Sequence, residues 1–215
     1  MRRAALLLLV SAALAASGPP AAGATTISIP PSADVGFPFL CDWGYDWESR
    51  CFRDDGARLP IGGVDDKVWR AGLRFSLAAV PAGATVTSAE LRTYHDGICV
   101  APLRSTQPCV APGAVVDAHR ILTSRWYSER EPEFDPRVLA TAVVFSAPEP
   151  QWLAWDLTPL VRAWHAGLAN DGVLLKLQDG DEDYGVSGPY GPSASYPDPA
   201  LRPRLVVSYA GPGPN

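Results

Sequence analysis

The sequence predicts an all-β protein, a jelly-roll-like antiparallel β-sandwich with one short helix at about residues 159–166. Three observations carry that expectation. Pro and Gly supply 41 of the 215 residues and interrupt the chain at short intervals. The segments between them are rich in Val, Leu, Thr, Trp and Tyr, the composition of strands bounded by turns. In VWRAGLRFSL, Trp69, Ala71, Leu73, Phe75 and Leu77 alternate with Arg70, Gly72, Arg74 and Ser76, which is the two-residue period of a half-buried strand.

In chain order, that strand is followed by the turn Pro81 to Gly83 and by TVTSAELRTYHDG, where Ala89 and Leu91 alternate with Glu90 and Arg92. The two segments are expected to pair as neighbours. Further strands are predicted at Val115 to Thr123, Val138 to Phe145, Trp152 to Leu157, Val173 to Gln178 and Leu205 to Tyr209. The helix is TPLVRAWHAG: Thr158 suits the N-cap, Pro159 the first helical position, and Gly167 a left-handed C-terminal residue. Leu160, Val161 and Trp164 then share one face, expected to cover an end of the sandwich. SGPYGPSASYPDP, residues 187 to 199, reads as a loop.

The N-terminus has Arg2 and Arg3, an apolar run from Ala4 to Ala16 and the small-residue site Ala22-Gly23-Ala24, the pattern of a secretory signal peptide. Cleavage is expected after Ala24, leaving residues 25–215 as a single domain. The run is shorter than the roughly 20 residues of a membrane span. With 18 basic and 23 acidic residues and a net charge of −5, the chain has no basic cluster that would track a phosphate backbone, so nucleic acid is not an expected partner.

Four cysteines in an exported chain suggest two disulfides. Cys41 and Cys51 are separated by nine residues, as are Cys99 and Cys109. Of the three possible pairings these two local ones are favoured. Structural zinc sites carry ligands two to four residues apart, a spacing not found here.

No nucleophile elbow, His-Glu-x-x-His run or phosphate-cradling loop occurs. His95 and His119 fall on predicted strands and His165 in the helix, where each reads as a packed or surface residue. Calcium is the one cofactor the acids suggest, as a structural ion. DGDEDYG has Tyr184 at the place of the EF-hand glycine, so that motif fails. Asp65, Asp66, Asp179 and Asp181 remain as weak candidate ligands beside the preferred reading of solvated turns.

Aromatic residues divide by context. Trp69, Trp155 and Trp164 lie on apolar faces and read as core; Trp126, Tyr127 and Trp152 fall at element ends and are undecided. CDWGYDWESRC, residues 41 to 51, holds Trp43, Tyr45 and Trp47 at alternate positions with Asp42 and Asp46 beside them. Alternate residues of a strand share a face, so the stretch can be a sugar-stacking platform, a metal loop or a lid on the core. As a platform, the rings would stack on sugars while the two aspartates accept hydroxyl hydrogen bonds, with Tyr190 as a further contact.

WDLTPLVRAWHAGLANDGVLLK, residues 155 to 176, resembles the signature stretch of the secreted DNRLRE-type domains. GLRFSLAAVPAGATVTSAELRTY resembles two further strands of that family and RPRLVVSY its closing strand, so the resemblance runs from about Val68 to Tyr209. It implies a jelly-roll-like sandwich of bacterial surface and secreted proteins, some relatives of which act as carbohydrate-binding modules. A similar Trp-to-helix element occurs in the propeptides of transforming-growth-factor-β-like proteins. The expected function is secreted, non-catalytic recognition of a polysaccharide or cell-envelope glycan. The alternatives are a structural or adhesion protein binding a protein partner and, third, a small polysaccharide-cleaving enzyme.

Overall fold

The computed structural model describes residues 23–41, 56–64, 67–95, 113–126, 131–144, 150–182 and 187–211. In chain order the strands are β1 (Ala24–Ile29), β2 (Pro31–Cys41), β3 (Arg58–Val64), β4 (Lys67–Phe75), β5 (Thr85–His95), β6 (Val115–Arg120), β7 (Ala140–Val143) and β8 (Gln151–Asp156). The helix α1 (Thr158–His165) precedes β9 (Val173–Leu177), β10 (Ser187–Pro192) and β11 (Arg204–Ala210).

They form two antiparallel sheets in a β-sandwich whose larger sheet curls into a half-barrel. The smaller sheet has the order β1-β11-β5-β8, and the larger the order β10-β3-β4-β9-β6-β7 with β2 along the free flank of β4. On its opposite flank β4 is shared: Lys67 to Trp69 pair with β3, and Ala71 to Leu73 pair with β9.

The alternation read from the sequence fixes the core. Ala71, Leu73 and Phe75 of β4 face Leu91 of β5, Trp155 of β8 and Leu205 and Val207 of β11 in one buried cluster, with Leu160, Val161 and Trp164 of α1 joined to it. Trp155 also braces the two sheets, since its Nε1 donates to the Val116 carbonyl of β6 at 2.9 Å. Trp69, Trp155 and Trp164 are all buried, as their apolar faces required.

Three expectations are corrected. β4 and β5 are not sheet neighbours: β4 belongs to the larger sheet, whereas β5 pairs with β11 and β8 in the smaller one. Between them the chain makes a 3-10 turn at Leu77–Ala79 and a second turn closed by Ala84 N to Pro81 O at 3.1 Å. A hairpin needs a loop of about two to five residues, and this longer connection crosses from one sheet to the other instead.

Residues 187–192 are strand β10 and not loop. Their prolines are tolerated because β10 is an edge strand, which can lack a backbone donor. A Cβ on Gly191 would lie 2.0 Å from the Tyr94 carbonyl oxygen, so the glycine permits β10 to close against β5.

Thr158 is the first residue of α1 and not its cap. Leu157 holds the cap position without a side-chain bond, and the Asp156 carboxylate accepts from Thr158 N at 2.9 Å and Thr158 Oγ1 at 2.5 Å. Thr158 Oγ1 in turn accepts from Ala89 N at 2.9 Å, tying the helix start to β5. Gly167 ends the helix region with φ +104° as expected, and Arg162 anchors α1 through the Val86 and Thr87 carbonyls.

Candidate functional site

The two outer faces of the sandwich differ in what covers them. On the larger sheet, the outward residues of β4 are Arg70, Gly72 and Arg74, joined by Val35 and Phe37 of β2, Leu174 and Lys176 of β9, and Asp117 and His119 of β6. All but Arg74 are buried.

The β6 to β7 connection covers part of this face. Leu122 N donates to Glu133 O, Asp135 N donates to Arg120 O, and Ile121 bridges Phe134, which folds the connection back on itself. Trp126 packs edge-on to Phe37 with centroids 6.0 Å apart, and the Arg74 guanidinium carbon lies 4.5 Å from its ring centroid. Added Cβ atoms would approach the Phe37 ring to 2.7 Å at Gly72 and Trp126 to 2.8 Å at Gly172, so both glycines make room for aromatic rings.

Beside this apolar anchor lies an ionic one. Arg70 spreads its planar fork over two carboxylates. Nη1 donates to both oxygens of Glu131 at 2.7 and 2.8 Å, and Nε and Nη2 donate to Glu182 at 2.9 and 2.6 Å. Lys176 Nζ bonds Asp179 at 2.6 Å and lies 3.4 Å from Glu182. Bidentate pairing of this kind locks both partners, so Arg70 clamps the β6 to β7 connection and the turn after β9 to the sheet.

Lys176 holds the exposed Asp179 carboxyl below its ordinary range, through a hydrogen bond and its charge. Burial pushes the Asp117 carboxyl up, against the pull of His119 and Lys176. His119 Nδ1 lies 3.0 Å from Asp135 O. A cleft of about 900 Å³ opens along the connection, lined among the described residues by Leu122, Thr123, Ser124, Arg125, Glu131, Pro132 and Glu133. Glu131, on the wall of this cleft, accepts both bonds from Arg70 Nη1, while burial pushes its carboxyl up against the pull of that guanidinium.

Among the described residues, the outer face of the smaller sheet is half-buried to exposed. Register places Tyr94 of β5 beside Trp152 of β8, Arg92 beside Ala154 and Glu90 beside Asp156, while Arg204 of β11 lies directly opposite Arg92. Trp152 is 37% exposed, the largest ring on the exposed surface among the described residues. Its ring is tilted 57° to that of Tyr94 with centroids 5.2 Å apart.

Arg204 reaches across β5 to bring its guanidinium carbon 4.2 Å from the Trp152 centroid, and its Nη1 donates to Ala200 O at 3.2 Å. Arg92 forms an exposed ion pair with Glu90. Two half-open rings, two arginines and the small Ala154 therefore share one strip that no described residue covers.

Of the residues expected to bind ligand, Asp42, Trp43, Tyr45, Asp46 and Trp47 lie outside the described residues, and so do Cys51, Cys99, Cys109, Asp65 and Asp66. Cys41 ends β2, and Tyr190 pairs with Pro60 through the backbone of β10; the description does not extend to either side chain. Asp179 is occupied by Lys176, and Asp181 is an exposed turn residue. Among the described residues no group of three or more His, Cys, Asp or Glu is arranged to hold a metal ion.

Sequence reasoning left Trp152 and Trp126 undecided and passed over Tyr94, Arg92 and Arg204. Alternation put Arg92 and Tyr94 on the outward face of β5, but only cross-strand register joins them to Trp152 and Arg204. For the aromatic cover of the larger sheet a signal was present: Gly72 in the middle of an otherwise regular strand marks the close approach of another group, the Phe37 ring against which Trp126 packs.

A family model described as the TGF-beta propeptide matches residues 62–186, from within β3 to the turn after β9. The chain belongs to the TGF-beta propeptide family. The matched region contains β4 to β9 and α1, hence the Trp155 brace, Arg70 with both its carboxylates, and the Tyr94–Trp152 pair. TGF-beta propeptide domains are non-catalytic and typically secreted. No curated protein matches the chain. No helix among the described residues is long and apolar enough to cross a membrane.

Proposed function

We propose that this TGF-beta propeptide-family domain is a secreted binding module that recognises a polysaccharide or cell-envelope glycan on the outer face of its smaller sheet. The observation that carries the reading is the half-open Tyr94–Trp152 pair, exposed among the described residues, with donors and acceptors from Arg92, Glu90 and Arg204 around it. Sugar rings present apolar C–H faces and a polar rim, so exposed aromatic ring surface bordered by charged groups matches both. The resemblance of residues 68–209 to DNRLRE-type domains, some of which bind carbohydrate, supports the same function.

The stretch from Asp42 to Trp47 is a second proposed contact. A Cys41–Cys51 bridge would order its rings before binding and so reduce the entropy lost in the complex. The propeptide family name favours a second reading, a surface protein whose open face meets a protein partner.

A glycan array combined with a reducing-sugar assay on the same preparation tests the proposal. Binding without sugar release is expected, and Trp152→Ala in the folded protein should weaken it about tenfold, the order expected for a lost aromatic stacking contact. Release of reducing ends would identify an enzyme instead. Unchanged affinity in Trp152→Ala alongside a loss in Trp43→Ala/Trp47→Ala would move the site to the cysteine-bracketed stretch.

A further inference from the structure

Resting on the glycan reading of this face, we propose that its ligand is an anionic glycan whose carboxylate or sulfate groups are held by Arg92 and Arg204. The two residues are direct Cα partners in the β5–β11 ladder and project from the same face. Like charges directly opposite one another on a sheet repel and oppose pairing. The repulsion is placed on a chain of net charge −5, whose composition offers more acids than bases to neutralise it.

Only half of the pair is neutralised within the protein. Arg92 has Glu90, and both side chains of that ion pair are 40% or more exposed, so solvent screens it and a ligand can compete for it. Arg204 has no carboxylate partner among the described residues: it donates to a backbone carbonyl and rests on Trp152. A guanidinium stacked on an aromatic ring keeps in-plane N–H groups available to an oxyanion, which a lysine on the same ring would not present in that geometry.

Spacing then selects the ligand. Arg92 and Tyr94 are two residues apart on β5, as are Ala154 and Trp152 on β8, so Arg92 stands roughly 7 Å along the strand from the aromatic row, whereas the Arg204 guanidinium lies at the Trp152 ring itself. That distance is comparable to the reach from the face of one sugar ring to its charged substituent or to the next ring. Ala154, exposed and lacking bulk, leaves room beside Arg92 for the substituent to enter. A neutral glycan would stack on the rings and leave the arginine pair uncompensated, whereas a uronate or sulfate ester answers both rows. A nucleic acid is disfavoured by the overall negative charge of −5.

The test uses the secreted chain in affinity electrophoresis against two matched pairs of polymers: polygalacturonate with its fully methyl-esterified form, and dextran sulfate with dextran. Retardation by polygalacturonate or dextran sulfate and not by its neutral counterpart is expected. Whichever member acts identifies the carboxylate or the sulfate as the group recognised. Arg92→Gln and Arg204→Gln should each weaken binding about tenfold, Arg204→Lys should not restore it, and Arg125→Gln, in the cleft on the other sheet, should leave it unchanged.

Urea melts of each variant confirm folding; if Arg204→Gln is unstable, Arg92→Gln decides alone. Equal binding of charged and neutral polymers, reduced by Trp152→Ala but not by Arg92→Gln, would overturn the anionic assignment while leaving the glycan reading intact. An equal loss in Arg125→Gln would reduce the interaction to unspecific charge attraction and overturn it as well. Binding to none of the four polymers, with none on the array, would refute both readings.

Discussion

Two buried tryptophans provide a controlled comparison of how the sandwich is held together. Trp155 is fully buried and Trp164 is 5% exposed, but Trp155 Nε1 donates to Val116 O whereas Trp164 Nε1 has no partner among the described residues. Replacing either indole by phenyl removes roughly 40 Å³, which at about 24 cal/mol per Å³ of cavity costs about 1 kcal/mol. Trp155→Phe also removes a bond between the sheets and deprives a buried carbonyl of its donor, a further loss of about 1–3 kcal/mol. Trp164→Phe carries no such loss and sheds a donor that is desolvated without reward.

Trp155→Phe is therefore expected to cost about 2–4 kcal/mol and Trp164→Phe about 1 kcal/mol or less. Urea denaturation followed by near-ultraviolet circular dichroism gives both values, provided the m-values agree with wild type. Equal losses in the two variants, or a larger loss in Trp164→Phe, would refute the claim that the indole hydrogen bond, and not ring volume alone, joins the sheets.

Two further outcomes follow from polar contacts. Arg70→Met leaves Glu131 and Glu182 without their guanidinium and should cost about 3–5 kcal/mol, the usual penalty for stranding a buried partner; adding Glu131→Gln and Glu182→Gln should recover much of that loss in the same urea melts, and a single-variant cost below about 1 kcal/mol would show that water already solvates the carboxylates. Hydrogen bonds from the Thr158 side chain and backbone hold the Asp156 carboxyl below its ordinary value, so its stabilising contribution is full above the unfolded carboxylate pKa of about 3.9 and is lost as pH falls through the lower folded value. Asp156→Asn should accordingly be less stable than wild type at neutral pH, with a difference that shrinks in melts below about pH 4; a gap independent of pH would mean that the charge contributes nothing.

The fold was legible where the signal was local. Alternation in VWRAGLRFSL determined which residues of β4 enter the core, because one residue of slip would turn every side chain to the other face. Pro159, Gly167 and the apolar face of TPLVRAWH placed α1 to within a residue of its observed span. The helix cap was misplaced because Asp156 reaches forward over the chain end while Thr158 turns to β5, and that choice depends on a neighbouring strand. Strand β10 was hidden by its prolines, which are acceptable only because the strand sits at a sheet edge.

The sequence by itself determined that this is a β-sandwich with one short helix and that Trp155 and Trp164 are core. Those conclusions rest on periodicity and composition, which act over a few neighbouring residues. Only the tertiary structure decided that Arg92 faces Arg204, that Tyr94 meets Trp152, and that Glu131 and Glu182 converge on Arg70 from positions 61 and 112 residues away. Each of those juxtapositions is set by which strands pair and in what register, and pairing is determined by the burial of the whole chain at once rather than by the residues that happen to meet.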